Sequence, residues 1–516
     1  MDSILILDFG GQTSRLLARR FRELGIYSEV VPGDFTPGPG SMAGVKGLVL
    51  SGSPASVRDP DAPMPRPEVF RGEVPALGIG YGLYAMTLAL GGDVADPEKR
   101  EYGASKLQFT APSRLFRDVP DGFLSWMGAD MGISSPAPGF SVAAVSEKGL
   151  PAAFQDESRR FYGLQFHPEA TPCEYGAKIL ENFARGVCGV SDRWSMESYL
   201  DSAAARVRRE AGDKKVLLLI SGGVDSTVVG ALLLKALPPE NVHLMYIDTG
   251  LMRKNESVQV ARELRSLGAR NLHLVDASER FLTALRGIQD PEAKRHAIGD
   301  TFIRVQEEEV AGLRIPDALL AQGTIYPDLI ESGGGAGGTA GTIKSHHNVR
   351  SPLVEEKRRR GLLIEPLDRL FKDEVRELGR RLGVSPAVLG RHPFPGPGLG
   401  VRVLGEVTRE KCDILREADA VYLRELEKRG LYDRIWQAFS ILLPVRSVGV
   451  VADRREYGHV LALRAVTSQD GMTAQVFDFP TRDLVAIASE ITDTVRGIGR
   501  VVYDISNKPP ATIEWE

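Results

Sequence analysis

Short apolar runs alternate with amphipathic segments along residues 1–190. The runs "ILILDFGGQ" and "GLVLSGSPASV" each predict a buried strand that ends in a turn, and "FYGLQFHPEAT" predicts a later strand. Between the first two runs, "TSRLLARRFREL" places Leu17, Phe21 and Leu24 on one face of a helix. Strands that are apolar throughout are typical of a parallel sheet covered on both faces. The pattern therefore predicts an α/β domain over residues 1–190.

The same pattern restarts after a charged helical connector, "DRWSMESYLDSAAARVRREAGDKK". The run "VLLLI" (216–220) predicts a strand, "SGGVDS" a turn, and "NVHLMYIDTG" the next strand. The intervening "TVVGALLLKAL" predicts a helix, and the apolar residues on one side of it are Val229, Leu232, Leu233 and Ala236. A second α/β domain is therefore expected over residues 191–391.

The composition changes near Arg391, where "RHPFPGPGLGVRVLG" is rich in proline and glycine. The remainder mixes helical segments with strands such as "HVLALRAV" and "RVVYDIS", which predicts a third, α+β domain over residues 392–516. The predicted fold class is α/β multidomain, with two doubly wound parallel-sheet domains followed by a smaller α+β domain. One low-complexity run, "SGGGAGGTAG" (332–341), is a candidate mobile loop.

Length, charge and cysteine content exclude several classes of protein. A chain of 516 residues is too long for one hydrophobic core, and its formal net charge of −4 argues against a general nucleic-acid binder. No apolar run approaches the roughly 20 residues that cross a bilayer, and "MDSILILDFGG" is expected to be a buried strand rather than a signal peptide. The cysteines form no C-x-x-C pair, so neither a disulfide framework nor a zinc site is expected, and a cytoplasmic location fits. They are Cys173, Cys188 and Cys412.

The segment "SGGVDST" (221–227) carries the most chemistry in the chain. Its glycines let backbone N–H groups point into one concavity, and the N-terminus of the following helix adds partial positive charge. This suits phosphate, and an ordinary glycine-rich turn is the alternative. Asp225 would repel bare phosphate, so we expect it to hold Mg²⁺ or to orient the loop. The expected phosphate-binding residues are Ser221, Gly222, Gly223, Val224, Asp225, Ser226 and Thr227.

A second candidate region follows in "AQGTIYPDLIES" (321–332). Asp328 and Glu331 lie three residues apart and share a face if the segment is helical; a solvated acidic turn is the alternative. Lys344 follows in "IKSHHNV", where the adjacent histidines would point to opposite faces of a strand and make a poor metal site.

The phosphate loop resembles that of the N-type ATP pyrophosphatase family, which implies an enzyme that splits ATP between its α and β phosphates. Further strings look like the GMP synthetases: "DPEAKR", "AQGTIYPD", "IKSHHNV", "EPLDRLFKDEVR", "RHPFPGPGLGVRVLGEV", "LPVRSVGV" and "VVYDISNKPPATIEWE". This resemblance covers the whole chain and is most specific from residue 216 onward. It implies amination of xanthosine 5′-monophosphate (XMP): ATP adenylates the C2 oxygen, ammonia attacks, AMP leaves and GMP forms.

The resemblance to the GMP synthetases also implies roles for individual residues. Residues 221–227 would bind ATP, and Lys344 would close over the phosphates from a lid. The candidate Mg²⁺ ligands are Asp225, Asp328 and Glu331. The residues that match the family's XMP contacts are Arg295, Gln437, Arg500, Lys508 and Glu514, with exposed surface charge as the alternative for Arg500 and Lys508. The family's third domain dimerises, which implies a homodimer and a tail, "KPPATIEWE", ordered by that interface.

Residues 1–190 look like the class I glutamine amidotransferase domain of the GMP synthetases. The stretch "PALGIGYGLYAM" (75–86) sits where a strand turns sharply into a helix, as in a nucleophile elbow. The family has a cysteine where Gly80 stands, so the thiolate that a Cys–His pair needs is missing. The string "FHPEA" supplies His167 and Glu169, the family's base and its orienting carboxylate, and alternation along an extended segment would place both on one face.

Other positions also depart from the family's amidotransferase pattern. Leu83 and Tyr84 replace the family's Met-Gln after the elbow, and Ser53 replaces a glycine in the turn that donates an oxyanion N–H. The string "WMGADM" (126–131) lacks the family's histidine and carries Asp130 one place early. We therefore expect a working synthetase half, an inactive amidotransferase half, and ammonia from solution or from a separate glutaminase.

Three alternatives remain open. The chain could be an ordinary glutamine-hydrolysing GMP synthetase with an unrecognised nucleophile, for which Cys173 comes before Cys188 and Cys412. It could aminate or sulfurate another purine nucleotide, although sulfur transfer usually needs a reactive cysteine near the ATP site. It could also be a nucleotide-binding sensor, although the phosphate loop and the C-terminal strings are intact.

Overall fold

The computed structural model describes residues 1–11, 13–38, 40–71, 74–96, 100–129, 131–315, 317–326, 328, 352–451, 454–468, 471 and 473–516. The chain divides into two compact units, Met1–Tyr199 and Leu200–Asp328 together with 352–516. The predicted boundary after residue 190 lies close to this division. The predicted boundary after residue 391 falls inside the second unit, so the division into three domains stays a prediction.

Apolar runs form the strands of the first unit, and amphipathic segments form its helices. Leu17 and Phe21 on α1 are fully buried, as their helical spacing predicts. The strands are β1 Ser3–Asp8, β2 Tyr27–Pro32, β3 Val45–Leu50, β4 Ala76–Ile79, β5 Asp93–Ala95, β6 Glu101–Phe109, β7 Leu124–Ala129, β8 Gly132–Ser135, β9 Ser141–Ser146, β10 Pro151–Asp156 and β11 Phe161–Leu164. The helices are α1 Thr13–Glu23, α2 Tyr81–Ala89 and α3 Gly176–Glu181, with a π-helical continuation over Asn182–Val187 and 3-10 turns at Pro67–Phe70 and Arg114–Phe116.

The main sheet of the first unit is only partly parallel. Its strand order among the described residues is β2-β1-β3-β4-β11-β10-β9-β6-β7, and the strands from β2 to β11 in that order pair in parallel. The other four join it antiparallel, which corrects the expectation of a wholly parallel sheet. The physical reason is visible in β6, whose residues largely alternate between buried and exposed positions, whereas β4 is buried throughout.

The second unit contains the remaining elements, and helix α4, Met196–Ala211, contains the division between the units. The strands are β12 Val216–Ile220, β13 Val242–Asp248, β14 Asn271–Asp276, β15 Leu319–Ala321, β16 Leu363–Ile364, β17 Gln437–Val451, β18 Arg454–Thr467, β19 Gln475–Val476 and β20 Ile498–Tyr503. The helices are α5 Val224–Ala236, α6 Glu256–Ser266, α7 Ser278–Ala284, α8 Pro291–Gly312, α9 Pro352–Arg359, α10 Lys372–Arg381, α11 Pro386–Leu389, α12 Arg409–Lys428 and α13 Thr481–Thr494. Three 3-10 turns lie at Pro239–Asn241, Gly398–Val401 and Tyr432–Arg434.

Two sheets organise the second unit. The first, in the order β14-β13-β12-β15-β16, pairs in parallel throughout, as the sequence predicts. In the second, β17 and β18 form a long antiparallel pair, β19 continues the sheet, and β20 pairs with β18 in parallel. Buried residues of both sheets belong to one hydrophobic cluster, in which Leu217 and Met245 of the parallel sheet join Leu399, Leu415 and Leu461. No described helix combines the length and the apolar character needed to cross a membrane.

Candidate functional site

Gly80 forms the turn between β4 and α2 with φ +54° and ψ −118°. This conformation is rare for L-amino acids and typical of a nucleophile elbow. The turn is held by hydrogen bonds from Gly80 N to Leu164 O (2.9 Å) and from Leu83 N to Gly80 O (3.0 Å). A Cβ atom placed on Gly80 would lie 3.6 Å from Cε1 and 3.8 Å from Nε2 of His167, at ordinary contact distance. The backbone therefore has an elbow's shape, and the space in front of the imidazole is open to a side chain.

The His167–Glu169 pair is present, although it forms differently from the prediction. Nδ1 of His167 lies 2.8 Å from Oε1 of Glu169, whose side chain is almost completely buried. The pair does not lie along an extended segment, because β11 ends at Leu164 and residues 168–170 turn, with a hydrogen bond from Ala170 N to His167 O (3.2 Å). The turn, rather than strand alternation, brings the two side chains together. Arg20 fixes the turn by donating Nε to the backbone oxygen of Glu169 at 3.1 Å.

The neighbouring positions that depart from the family pattern are occupied by packed groups. The side chain of Tyr84 is buried, and its hydroxyl donates to the carbonyl of Met131 at 3.1 Å. A Cβ atom on Gly128 would lie 2.6 Å from His167 Nε2, so the imidazole fills the space that a side chain at 128 would need. The Oγ atom of Ser53 accepts from Ala55 N within its own turn (3.2 Å). Asp130 lies outside the described residues.

The three cysteines are all buried. Burial raises the pKa of Cys173 to about 11, opposed by backbone hydrogen bonds, and raises the pKa of Cys412 to about 11. Burial also raises the pKa of Cys188 well above its ordinary value. A catalytic cysteine reacts as a thiolate in an exposed, electropositive environment, so none of these thiols has the properties of a nucleophile.

The loop 221–227 follows β12 and runs into α5, which is the predicted strand–turn–helix arrangement. Gly222 has φ +79°, a left-handed conformation that favours glycine. The Thr227 hydroxyl donates to Gly223 O at 2.8 Å, and the Ser226 hydroxyl lies 3.2 Å from the same oxygen and 3.1 Å from Ser221 Oγ. These hydroxyls hold the loop in shape, so the donors left to meet an anion are mainly the backbone N–H groups at the start of α5.

Both carboxylate oxygens of Asp225 accept from Nζ of Lys372, at 2.6 and 2.5 Å. Asp328 lies in a turn in which Ile325 N donates to its Oδ2 atom at 3.1 Å. The chain just before it passes the phosphate loop, because a Cβ atom on Gly323 would lie 3.4 Å from Ser226 N. Glu331 and Lys344 lie outside the described residues, so the lid and two of the three predicted carboxylate pairings are untested. Among the residues that the structure describes, no three metal-ligating side chains cluster.

Three of the five predicted XMP contacts come together around the C-terminal residues. Oε1 of Glu514 accepts from Nε2 of Gln437 at 2.7 Å, and Arg402 donates to both oxygens of the same carboxylate, at 2.8 and 3.1 Å. Arg295 donates to the backbone oxygen of Glu516. The C-terminal tail, expected to be ordered by a dimer interface, is thus held by contacts within its own chain.

The other two predicted XMP contacts have different neighbours. Nε of Arg500, on β20, donates to Ser447 Oγ of β17 at 2.8 Å, and its side chain is exposed. Nζ of Lys508 donates to Gly471 O at 2.9 Å. Neither contact involves Arg295, Gln437 or Glu514, so a shared role in binding XMP stays a prediction for these two residues.

Comparison with known proteins assigns each part of the chain to a family. The model of the class-I glutamine amidotransferases matches residues 5–187, that of NAD synthase matches 196–297, and that of the GMP synthase C terminal domain matches 424–515. A glutamine-hydrolyzing GMP synthase from Chlorobaculum tepidum is 47% identical, with 100% of this chain and 99% of the relative covered. One from Symbiobacterium thermophilum is 48% identical over 100% of this chain and 99% of the relative. The chain belongs to the GMP synthase family.

GMP synthases are ligases with an ATP pyrophosphatase domain, so this family membership makes the chain an enzyme that uses ATP and decides against a sensor without catalysis. The C-terminal match identifies the family's dimerisation domain. The solved structure of a smaller GMP synthase protein, from Thermoplasma acidophilum, is 28% identical over 37% of this chain and 94% of its own length, with a TM-score of 0.32.

Sequence analysis of this GMP synthase missed two residues that the structure places at its sites. Lys372 neutralises Asp225 of the phosphate loop, and Arg402 is the fully buried partner of Glu514. Both lie inside strings that resemble the family, "EPLDRLFKDEVR" and "RHPFPGPGLGVRVLGEV". The usable signal was Arg402 between valines, because an arginine in an apolar run needs a buried counter-charge.

Proposed function

We propose that this chain catalyses the ATP-dependent amination of XMP to GMP with ammonia, and that its amidotransferase unit does not hydrolyse glutamine. The observation that carries the second part is Gly80, which has the backbone of a nucleophile elbow and leaves the space facing His167 without a side chain. Family membership at 47% identity over the whole chain supports the first part.

Two transfers at one oxygen account for the synthetase reaction. The C2 oxygen of XMP attacks the α-phosphorus of ATP, a P–O bond to that oxygen forms, and the bond to the β-phosphate breaks to release pyrophosphate. Ammonia then attacks C2, loses a proton, and AMP leaves with the oxygen. Adenylation is required because the oxygen alone is a poor leaving group.

The residues of the phosphate loop would position ATP for the first transfer. Backbone N–H groups at the start of α5 would bind the phosphates, and Thr227 would keep Gly223 in place through the 2.8 Å hydrogen bond. Lys372 is close enough to exchange the Asp225 carboxylate for a phosphate oxygen, since charge-assisted bonds to phosphate are strong.

The Asp225 carboxylate also suits a hard divalent cation. We propose that Asp225 holds Mg²⁺ when Lys372 is displaced, with Asp328 and Glu331 as further candidates. Bound Mg²⁺ would neutralise charge on the transferring phosphates. Arg295, Gln437 and Glu514 would orient XMP, with Arg500 and Lys508 as additional contacts, in a homodimer formed through the C-terminal domain.

The amidotransferase unit lacks the parts of an acyl-transfer site. A thioester cannot form on Gly80, and burial keeps Cys173 protonated. The intact His167–Glu169 pair favours the second candidate, a glutamine-hydrolysing enzyme with another nucleophile. The raised pKa of each cysteine argues against it.

A direct assay separates these two functions. AMP and GMP formation from XMP and Mg-ATP is measured with ammonium in one reaction and glutamine in another. We expect turnover with ammonium alone. Equal turnover with glutamine would overturn the proposal for the amidotransferase unit, and its loss in a Cys173→Ser variant would then identify the nucleophile.

A further inference from the structure

The last six residues, 511–516, form a segment, here called the C-terminal strap, that is anchored at successive positions. Ile513 is buried in a small cluster with Phe439 and Ile441. Glu514 binds Arg402 and Gln437, and Trp515 donates Nε1 to Asp504 at 2.9 Å. A chain end with this many specific contacts is not a frayed terminus.

The last residue of the strap meets a completely buried lysine. Lys294, on α8, has no exposed surface; its Nζ atom donates to Val403 O at 2.8 Å and to the carboxylate of Glu516. A buried ammonium group without a counter-charge is strongly destabilising. Glu516 therefore neutralises Lys294, and the strap is tied to α8 by a buried ion pair.

The next residue on α8 links this ion pair to the predicted substrate contacts. Arg295 donates to the backbone oxygen of Glu516, so adjacent residues of α8 hold both the side chain and the backbone of the same terminal residue. Two positions earlier, Glu514 receives Gln437 and Arg402. Arg295, Gln437 and Glu514, the predicted XMP contacts, are thus joined through the strap.

We propose that Lys294 and Glu516 are positioning residues for XMP: their ion pair fixes the strap so that Arg295, Gln437 and Glu514 adopt the geometry that binds the nucleotide. This rests on the proposed function, since XMP is the ligand. Neither residue needs to touch XMP. The strap couples α8, the end of the chain and β17 into one binding unit.

The experiment uses the full-length chain with Glu516→Gln, Lys294→Met and the double variant. XMP affinity is measured by titration calorimetry, which needs no turnover, together with KM for XMP and for ATP with ammonium as nitrogen donor. We expect each single variant to weaken XMP binding by about tenfold, with KM for ATP and kcat at saturating XMP nearly unchanged. The double variant should be no worse than the weaker single variant, because the two residues act as one pair.

Glu490→Gln is the matched control. Glu490 forms an exposed ion pair with Arg424 at 2.9 Å in the same part of the chain, and the same substitution there should leave XMP affinity unchanged. Amide hydrogen exchange over residues 511–516 should be faster in Glu516→Gln than in Glu490→Gln. The positioning role is overturned if Glu516→Gln binds XMP as tightly as the wild type, or if the strap exchanges at the same rate.

A failure of the proposed function gives a different result. If the wild-type chain forms no GMP from XMP, ATP and ammonium, the synthetase assignment is lost, whereas calorimetry and exchange still decide whether the ion pair sets XMP affinity. Should Lys294→Met unfold the chain, Glu516→Gln alone decides, because it changes one atom at the chain end.

Discussion

At the scale of single residues, the two halves of the chain have opposite characters. Gly80 lacks a functional group while its backbone keeps a strained shape, with φ +54°, that is typical of a functional elbow. Arg402, in contrast, is a fully buried charge that is compensated by Glu514 and by the rings of Phe394 and Phe439 at 4.9 and 4.1 Å. We infer that function has been lost at the first residue, whereas dense contacts maintain the second.

Gly80→Cys tests the elbow. The new thiol would face His167 Nε2, which should lower its pKa, so iodoacetamide should modify it at pH 7 about tenfold faster than it modifies free cysteine. Glutamine-driven GMP formation should nevertheless stay at the wild-type level, because Tyr84 and the turn at Ser53 still depart from the family. Mass spectrometry of the modified chain and a glutamine assay check the two halves of this expectation, and a normal rate with glutamine would contradict it. The His167→Ala background serves as the control for thiol activation.

Glu514→Gln tests the buried charge pair. It leaves the Arg402 guanidinium without its anion, and we expect the free energy of unfolding of the second unit to fall by about 3 kcal/mol. Chemical denaturation measures the change. The Arg402→Met/Glu514→Gln double variant should lose less than Glu514→Gln alone, since no buried charge is left unpaired; a greater loss would show that packing, not charge, explains the effect.

At the scale of secondary-structure elements, the phosphate loop shows how far sequence analysis reaches. The strand–turn–helix order of β12, the loop and α5 follows from an apolar run, two glycines and a helical pattern, and it is confirmed. The direction of the hydroxyls was not predictable. Thr227 is on the first turn of α5, and only the built helix shows that its hydroxyl meets Gly223 O rather than the open side of the loop.

Thr227→Val tests this supporting role. Loss of one buried hydrogen bond costs about 1 kcal/mol, so KM for ATP should rise about fivefold while KM for XMP stays unchanged. Thr227→Ser should retain most of the affinity because it keeps the hydroxyl. Thr492→Val, which removes a similar bond to Ala488 O on α13, is the control for general loss of helix stability. An unchanged KM for ATP in Thr227→Val would show that the loop needs no such support.

The proline- and glycine-rich connector before α12 carries a titratable group. Nδ1 of His392 accepts from Ala438 N at 3.1 Å, its Nε2 lies 3.0 Å from Tyr432 O, and burial lowers its pKa below the ordinary 6.5. This arrangement requires the neutral ring. Between its lowered pKa and 6.5 the unfolded chain binds more protons than the folded one, so stability is lost as the pH falls.

We therefore expect the midpoint of thermal unfolding to fall as the pH is lowered below 6.5. The dependence should be weaker in His392→Gln, which has no titrating ring and is less stable at all pH values. Parallel slopes for the two proteins between pH 7 and pH 5 would assign the dependence to other groups, such as His243 and His273, whose pKa values burial also lowers.

At the scale of the whole molecule, the predictable part of the fold is what repeats locally. Apolar runs and helical spacing revealed two α/β regions and a different C-terminal region. They did not reveal the antiparallel half of the first sheet, because β9 and β10 are short and apolar and pair by long-range contacts. Nor did they reveal that Leu217 and Leu461 share one core, or that Glu516 reaches Lys294 across 222 positions. Such contacts depend on topology, which residue spacing does not encode.

An enzyme with an inactive amidotransferase unit should respond to pH as a user of free ammonia. Only the unprotonated molecule has the lone pair that attacks C2 of the adenylated XMP, and its fraction of total ammonium increases with pH. At a fixed total ammonium concentration below saturation, GMP formation should therefore rise between pH 7 and pH 9, while KM calculated for NH₃ stays constant. Glutamine added to the same reactions should change neither the rate nor its pH dependence, and a covalent glutamine analogue that alkylates cysteine nucleophiles should not inhibit them. A relative with an intact elbow provides the comparison, because glutamine delivers ammonia inside the protein and its rate does not depend on the protonation of ammonium in solution. If glutamine supported a rate in this chain that was independent of free ammonia, the missing side chain at Gly80 would have a catalytic replacement.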